Sequence, residues 1–398
     1  MIPKAAAQRL KEAPWLKRAE TQRVFALLDG ASSKTRAVGG IVRDSLLDRV
    51  RDSAEVDFAT TLLPEEVMRR AGEAGLGAYP TGIEHGTVTL KAGDFVAEVT
   101  TLRQDIETDG RHAKVKFGTD WTRDAERRDF TLNALYVGMD GALFDPIGGA
   151  EDCLAGRVRF IGDPDRRIAE DRLRVFRFFR FSASHGHEEF NEDGLAAVGR
   201  AAGDLGSLSA ERVGGEIRRM LDLGRVARTF TAMSAVGVLV LPPNLLDQLG
   251  GYERRARKPN AVPRLALMVA ALGSERLKQT WRLSNDEIAQ AEAMLAAARL
   301  LIDFQINEAA YRFPAVLADA VELAATLAGW TEAGKSAVLQ GLENIEVATF
   351  PLTGDDLIAK GYAPGPALGA ELERLERKWI AGGFRLTRDA LTGEIRRP

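Results

Sequence analysis

The stretch Ala37–Thr60, AVGGIVRDSLLDRVRDSAEVDFAT, decides how the rest of this chain is read. Ala37 and Val38 are apolar and extended, Gly39-Gly40 make a turn without side chains, and Ile41 to Leu47 carry the apolar spacing of a helix leaving that turn. Backbone N–H groups in such a turn can close on an anion, so strand, turn and helix form a cradle for phosphate. A second strand follows, in which Glu55 and Asp57 stand two residues apart. The pleat sends both carboxylates to one side and Val56 and Phe58 to the other. Two hard oxygen ligands on a rigid edge beside a phosphate cradle suit Mg²⁺ held on a nucleoside triphosphate. Taken singly, a Gly-Gly is usually a tight turn and an acid-x-acid strand usually a solvated face. Their order and closeness give the pair its meaning.

The remaining composition narrows the class. At 398 residues, with 45% hydrophobic and 28% charged residues, the chain is an ordinary globular protein of two or more domains. One cysteine, Cys153, excludes an internal disulfide framework, and four histidines without HxxxH spacing leave little for zinc. The charged opening residues exclude a signal-peptide core, and no apolar run reaches the length of a membrane span, so a cytoplasmic setting without membrane contact is expected. A net charge of −3 does not announce a nucleic-acid binder. Phosphate contacts would have to come from arginines gathered on one face.

Along the chain, residues 1 to about 30 read as one helix stopped by Gly30, and Thr35 to about Phe160 as a small α+β domain. In FVAEVTTLR, Glu98 sits among Val96, Val99 and Leu102; it either faces water on an edge strand or meets a cation. Arg103–Gly118 is polar and aperiodic and reads as a mobile loop. In ERRDFTLNALYV, helical spacing would put Asn133 on one polar face with Arg128 and Asp129, although a solvated basic pair is the plainer reading. Asp145 and Asp152 read as caps around a Pro-Gly turn. In Gly162–Gly186, one uninterrupted helix is expected, capped by Asp163 or Asp165 with Pro164 in its first turn. It would carry Asp171, Arg174, Arg177 and Arg180 on one face and Val175, Phe176, Phe178, Phe179 and Phe181 as packing. Such a face is usually solvated, but three guanidinium groups headed by a carboxylate also suit a base edge and phosphates. Beyond about residue 190 helix follows helix, with basic clusters such as Arg254-Arg255 and Arg257-Lys258.

These motifs occur in one order: GGxVRD at Gly39–Asp44, ExDxAT at Glu55–Thr60, DGR at Asp109–Arg111, RRDFTxNA at Arg127–Ala134, DPxGGxxD at Asp145–Asp152 and EDxxRxxRxxRF at Glu170–Phe181. In this order the chain resembles the class II tRNA nucleotidyltransferase/poly(A) polymerase family, which usually has Asp where this chain has Glu55. The resemblance implies an α+β fold: a mixed-sheet catalytic head (1–160), then a helical neck (161–225), body (226–300) and tail (301–398). It implies catalytic carboxylates at Glu55, Asp57 and Glu98, with Mg²⁺ on Glu55 and Asp57. It implies nucleotide contacts at Gly39, Gly40, Arg43, Arg128, Asp171, Arg174, Arg177 and Arg180, and a role for the Asp109–Arg111 segment in passing from C to A addition. The implied activity is addition of C, C and A to the 3′ acceptor end of tRNA from CTP and ATP. Poly(A) synthesis by the same family, or an RNA-binding protein with a weakened head, are the alternatives.

Overall fold

The structure is a computed structural model that describes residues 2–50, 55–109 and 112–397. Three short helices open the chain, α1 (Lys4–Glu12), α2 (Pro14–Lys17) and α3 (Ala19–Leu27), in place of the single helix expected. The breaks fall at Ala13 and Arg18, both with extended ψ, and Pro14 occupies the first turn of α2.

The sheet follows as β1 (Thr35–Val38), α4 (Gly40–Leu46), β2 (Val56–Thr60), α5 (Pro64–Glu73), β3 (Gly77–Gly82), β4 (Thr87–Ala92) and β5 (Phe95–Thr101). A hairpin of β6 (Arg103–Asp109) and β7 (His112–Phe117) comes next, then α6 (Trp121–Glu126), β8 (Tyr136–Val137) and β9 (Leu143–Phe144). Seven strands make one sheet in the order β3-β4-β5-β2-β1-β8-β9. Among the described strands only β2 and β5 pair in parallel, because α5 and the β3-β4 hairpin carry the chain across between them. Apolar residues on the buried face, including Val38, Ala59, Leu102, Ala134 and Tyr136, form a common core with Trp121, Phe144 and Ile147.

From Gly149 onward every described element is helical: α7 (Gly149–Leu154), α8 (Pro164–Glu170), α9 (Arg174–His185), α10 (Glu192–Ala201), α11 (Ala210–Leu221), and then helices from Ala227–Ala235 to Arg388–Gly393. The fold is therefore α+β, a mixed sheet followed by a helical remainder. The chain divides into two compact units, Met1–Glu216 with Thr231–Val240, and Ile217–Phe230 with Leu241–Pro398. No helix of the described residues is long and apolar enough to cross a membrane.

Four expectations are corrected here. Arg103–Asp109 and His112–Phe117 pair as antiparallel strands rather than lying in a loop; cross-strand pairing supplies the order that the polar sequence does not advertise. Gly110 and Arg111 of the DGR motif lie outside the described residues. Asn133 is not on a helix with Arg128, since α6 ends at Glu126 and Thr131–Asn133 is a single 3₁₀ turn running into β8. The helix expected over 162–186 is two helices, interrupted at Asp171 (φ −150°, ψ 105°), whose carboxylate accepts the Leu173 N–H at 3.1 Å and so competes with the helical ladder. Asp163 and Asp145 do cap, taking the N–H of Arg166 and those of Gly149 and Ala150. Asp152 does not; it sits inside α7, buried, and binds Thr131, Arg157 and Arg159.

Candidate nucleotide-transfer site

Antiparallel pairing places the end of β1, with Gly39-Gly40, beside the start of β2, with Asp57. Gly39 has φ +73° and ψ −125°, a conformation that side chains oppose, and the nearest neighbours of a side chain there would be the Asn133 carbonyl and an Arg128 nitrogen. Parallel pairing of β2 with β5 puts Asp57 opposite Glu98. Its neighbours Val56 and Phe58 point into the core, whereas the Asp57 carboxylate opens onto a cavity of about 610 Å³.

Gly39, Gly40, Arg43, Asp57, Glu98, Arg128, Asp171, Arg174, Arg177 and Arg180 all line this one cavity. Nine residues expected from four separate motifs, and Glu98 from a fifth stretch, thus converge. Glu55 does not join them; β2 begins at Val56, and Glu55 lies exposed ahead of it. Its charge still reaches Asp57, whose carboxyl is pushed up to about 6. Desolvation by the surrounding protein contributes most, although Asp57 itself opens to solvent, then repulsion from Glu98; Arg128 opposes and Glu55 adds. Two carboxylates held side by side without enough positive charge fit a divalent cation shared with phosphate oxygens. Among the described residues no three His, Cys, Asp or Glu side chains form a group that could hold a metal ion.

The cationic groups are fixed from behind. Buried Asp124 accepts Arg127 at 2.6 Å, Arg128 Nη2 at 3.2 Å and the Tyr136 hydroxyl at 2.8 Å, while Arg128 Nε donates to that hydroxyl at 3.2 Å. Burial alone would raise the Asp124 carboxyl, but Arg128 and Arg127 hold it below the ordinary range. Asp129 accepts Arg177 Nε at 2.7 Å, Asn133 Nδ2 at 2.9 Å and the Phe130 N–H at 2.8 Å. Asn133 Oδ1 in turn accepts Arg43 Nη1 at 2.7 Å. Arg43, Asn133, Asp129 and Arg177 therefore form one chain of hydrogen bonds, which ties the glycine turn to α9.

Across the break between α8 and α9, Asp171 accepts Arg212 Nη2 at 2.9 Å. Arg174 Nη1 donates to the Arg167 carbonyl at 2.7 Å and to Glu170 at 2.8 Å. Arg180 donates to Glu216 at 2.5 Å and lies over the Phe181 ring. Arg212, Arg103, Thr87 and Thr100 also line the cavity and were not expected from the sequence. Arg212 stands on α11, and no local pattern links it to Asp171; only a search for carboxylates needing partners would have raised it.

Comparison with known proteins agrees with this geometry. The family model of the poly A polymerase head domain matches residues 35–159. The mitochondrial CCA tRNA nucleotidyltransferase 1 of Mus musculus is 32% identical over 390 residues, covering 91% of this chain and 86% of that protein. The CCA-adding enzyme of Limosilactobacillus fermentum is 29% identical over 373 residues, covering 90% and 92%. The crystal structure of the Bacillus stearothermophilus CCA-adding enzyme in complex with CTP superimposes with a TM-score of 0.74 at 26% identity, covering 92% of this chain and 94% of that one. With the motifs gathered on one cavity and this likeness along almost its whole length, the chain belongs to the family of CCA tRNA nucleotidyltransferases, the CCA-adding enzymes.

Proposed function

We propose that this protein adds C, C and A to the 3′ end of tRNA from CTP and ATP, without a nucleic-acid template and with release of pyrophosphate. The observation that carries the reading is the convergence of a carboxylate pair, a side-chain-free turn and a set of guanidinium groups on one cavity. Asp57, with Glu55 two residues before it, would hold the divalent cation that this chemistry uses, here Mg²⁺, and Glu98 opposite Asp57 would be the third catalytic carboxylate. When bound, such a cation activates the RNA 3′-hydroxyl and neutralises charge on the α-phosphate and the leaving pyrophosphate. Gly39 and Gly40 let the triphosphate approach the backbone, and Arg43 and Arg128 supply positive charge to it. Their hydrogen bonds to Asn133 and Asp124 set those guanidinium groups before substrate arrives.

Asp171 and Arg174 would read the base. C and A both present an exocyclic amino donor beside a ring-nitrogen acceptor, which one carboxylate and one guanidinium can pair; U and G present a carbonyl and a ring N–H instead. Arg174 engages only Nη1 among the described residues, which leaves Nε and Nη2 as donors. Arg177 and Arg180 complete the cationic wall. The helical regions would hold the acceptor end of tRNA, with the head, neck, body and tail divided near residues 160, 225 and 300, and the enzyme would act in the cytoplasm.

The test is incubation with tRNA ending at the discriminator base, with CTP and ATP supplied separately and together, and products read at nucleotide resolution. CTP alone should give two additions, and both nucleotides three. A long A tract would instead assign a poly(A) polymerase, arrest after CC or a need for pre-formed CC would assign a partial enzyme, and binding without extension an inactive head.

A further inference from the structure

One titratable group beside the cavity has no part in the reading above. His185 is the last residue of α9, and its side chain is 12% exposed. Its Nε2 lies 3.2 Å from Asp44 Oδ1, and its Nδ1 lies 2.7 Å from Ser184 Oγ. The same Asp44 oxygen accepts Arg43 Nε at 2.8 Å. Arg49, just beyond α4, donates to the Ser184 carbonyl at 3.1 Å. The carboxylate next to Arg43 is therefore shared between a guanidinium of the glycine-turn helix and an imidazole of the arginine helix.

Hydrogen-bond chemistry orients the ring. A carboxylate only accepts, so Nε2 carries the proton facing Asp44. Ser184 Oγ has one proton and three acceptors within reach: Nδ1 of His185, the Arg180 carbonyl at 2.8 Å and, more distant, the Phe181 carbonyl at 3.4 Å. With a neutral ring the hydroxyl turns to Nδ1; with a charged ring Nδ1–H donates to the hydroxyl, which turns to a carbonyl. Both states are satisfied, a seat shaped for histidine. Three charged groups act on the ring: Asp44, which favours its protonation, and Arg43 and Arg49, which oppose it. Burial outweighs each and keeps the imidazole neutral at neutral pH. Cys153 on α7, whose Sγ faces the Arg43 carbonyl, has its thiol pushed up to about 12 by burial and carries no charge here.

We propose that His185 is a positioning residue for the nucleotide triphosphate: it fixes Asp44, Asp44 fixes the Arg43 guanidinium, and the glycine-turn helix is thereby locked to the arginine helix. The proposal rests on the reading of Arg43 as a triphosphate contact. Arg43 spends Nε on Asp44 and Nη1 on Asn133, so two of its three nitrogens are used to aim the third. Protonated His185 would hold Asp44 more strongly and repel Arg43 from the same oxygen, so acid should weaken nucleotide binding through this path.

The experiment measures KM for CTP and ATP and kcat on tRNA ending at the discriminator base or at CC, from pH 5.5 to 8, for wild type, His185→Ala, His185→Gln and Arg43→Ala, with thermal melts of each. His185→Ala should raise KM for both nucleotides about 10-fold with kcat within about 2-fold, the worth of a charge-assisted hydrogen bond. His185→Gln keeps a donor without a charge; it should restore KM near pH 8 and abolish the part of the acid rise in KM that wild type shows. Titration of Asp57 is common to both and cancels in that comparison. Unchanged KM in His185→Ala while Arg43→Ala raises it would overturn the His185 role and leave the Arg43 contact standing. Unchanged KM in Arg43→Ala would overturn both. A lower melting temperature with kcat and KM impaired together, unrescued by Gln, would make His185 a structural residue only.

Discussion

Two carboxylates of the same cavity are treated in opposite ways. Asp57, on the strand edge, faces Glu98 with too little positive charge nearby, and its carboxyl rises to about 6 through desolvation first and Glu98 second. Asp129, on the arginine wall, is more deeply buried, which by itself would raise it, yet Arg177, Asn133 and the Phe130 N–H hold it below the ordinary range. The Asp129 carboxylate of the wall is matched by cation and donors as folded; the Asp57 carboxylate of the edge is not. A region already satisfied is suited to hold a shape, and a region short of positive charge is suited to bind it. That difference supports the proposed division, rigid recognition at the wall and cation-dependent chemistry at the edge.

The contrast can be broken at several points. Removing the edge carboxylate, Asp57→Ala, should lower incorporation of C and of A alike by about 10³-fold, from the loss of roughly 4 kcal/mol of transition-state stabilisation, with tRNA affinity retained. Single-turnover rates and a filter-binding isotherm check this, and a rate near wild type would remove Asp57 from the chemistry. On the wall, Asp129→Asn should instead cost folding, about 2–3 kcal/mol after allowance for the partly exposed Arg177. A depressed carboxyl contributes stability that is present above its ordinary value of 3.8 and lost as pH falls through the lower folded value. The deficit of Asp129→Asn should therefore be full at pH 7 and shrink below about pH 4 in denaturant titrations.

Asp57→Asn should show the reverse sign. A raised carboxyl makes the charged form costly once pH exceeds about 6, while below the ordinary value of 3.8 both states are protonated and the cost vanishes. The variant should melt about 1–3 °C above wild type at pH 8 and level with it near pH 4. Mg²⁺ should raise the wild-type midpoint and leave that of Asp57→Asn unmoved. Equal melting of the two proteins at pH 8 would show that the edge carries no strain of charge.

The strand edge was legible in the sequence because its signals are local. Gly39-Gly40 before an apolar helix, and Asp57 between Val56 and Phe58, follow from backbone freedom and the period of a strand. The caps at Asp163 and Asp145 are short-range for the same reason. The wall was legible as residues but not as geometry. Asp171 breaks the helix by accepting the Leu173 N–H, and Arg212 reaches it from 41 residues away, a pairing that no window of sequence contains. The β6-β7 hairpin escaped because cross-strand partners, not periodicity, hold polar strands together. Glu55 was placed with Asp57 by counting pleats; it lies exposed just ahead of β2 and outside the cavity lining, with its charge still reaching Asp57.

The central claim is that edge and wall divide the work, the edge supplying rate and the wall choosing the base. The most direct measurement is single-turnover incorporation of CTP, UTP, ATP and GTP by wild type, by Asp57→Ala and by the double variant Asp171→Ala with Arg174→Ala, on tRNA ending at the discriminator base or at CC. Unpaired polar groups against U or G cost about 1–3 kcal/mol each, so the double variant should narrow the preference for CTP over UTP and for ATP over GTP by about 10- to 100-fold. Asp57→Ala should lower all rates and leave those ratios unchanged. A double variant that lost rate but rejected UTP and GTP as strictly as wild type would contradict the account.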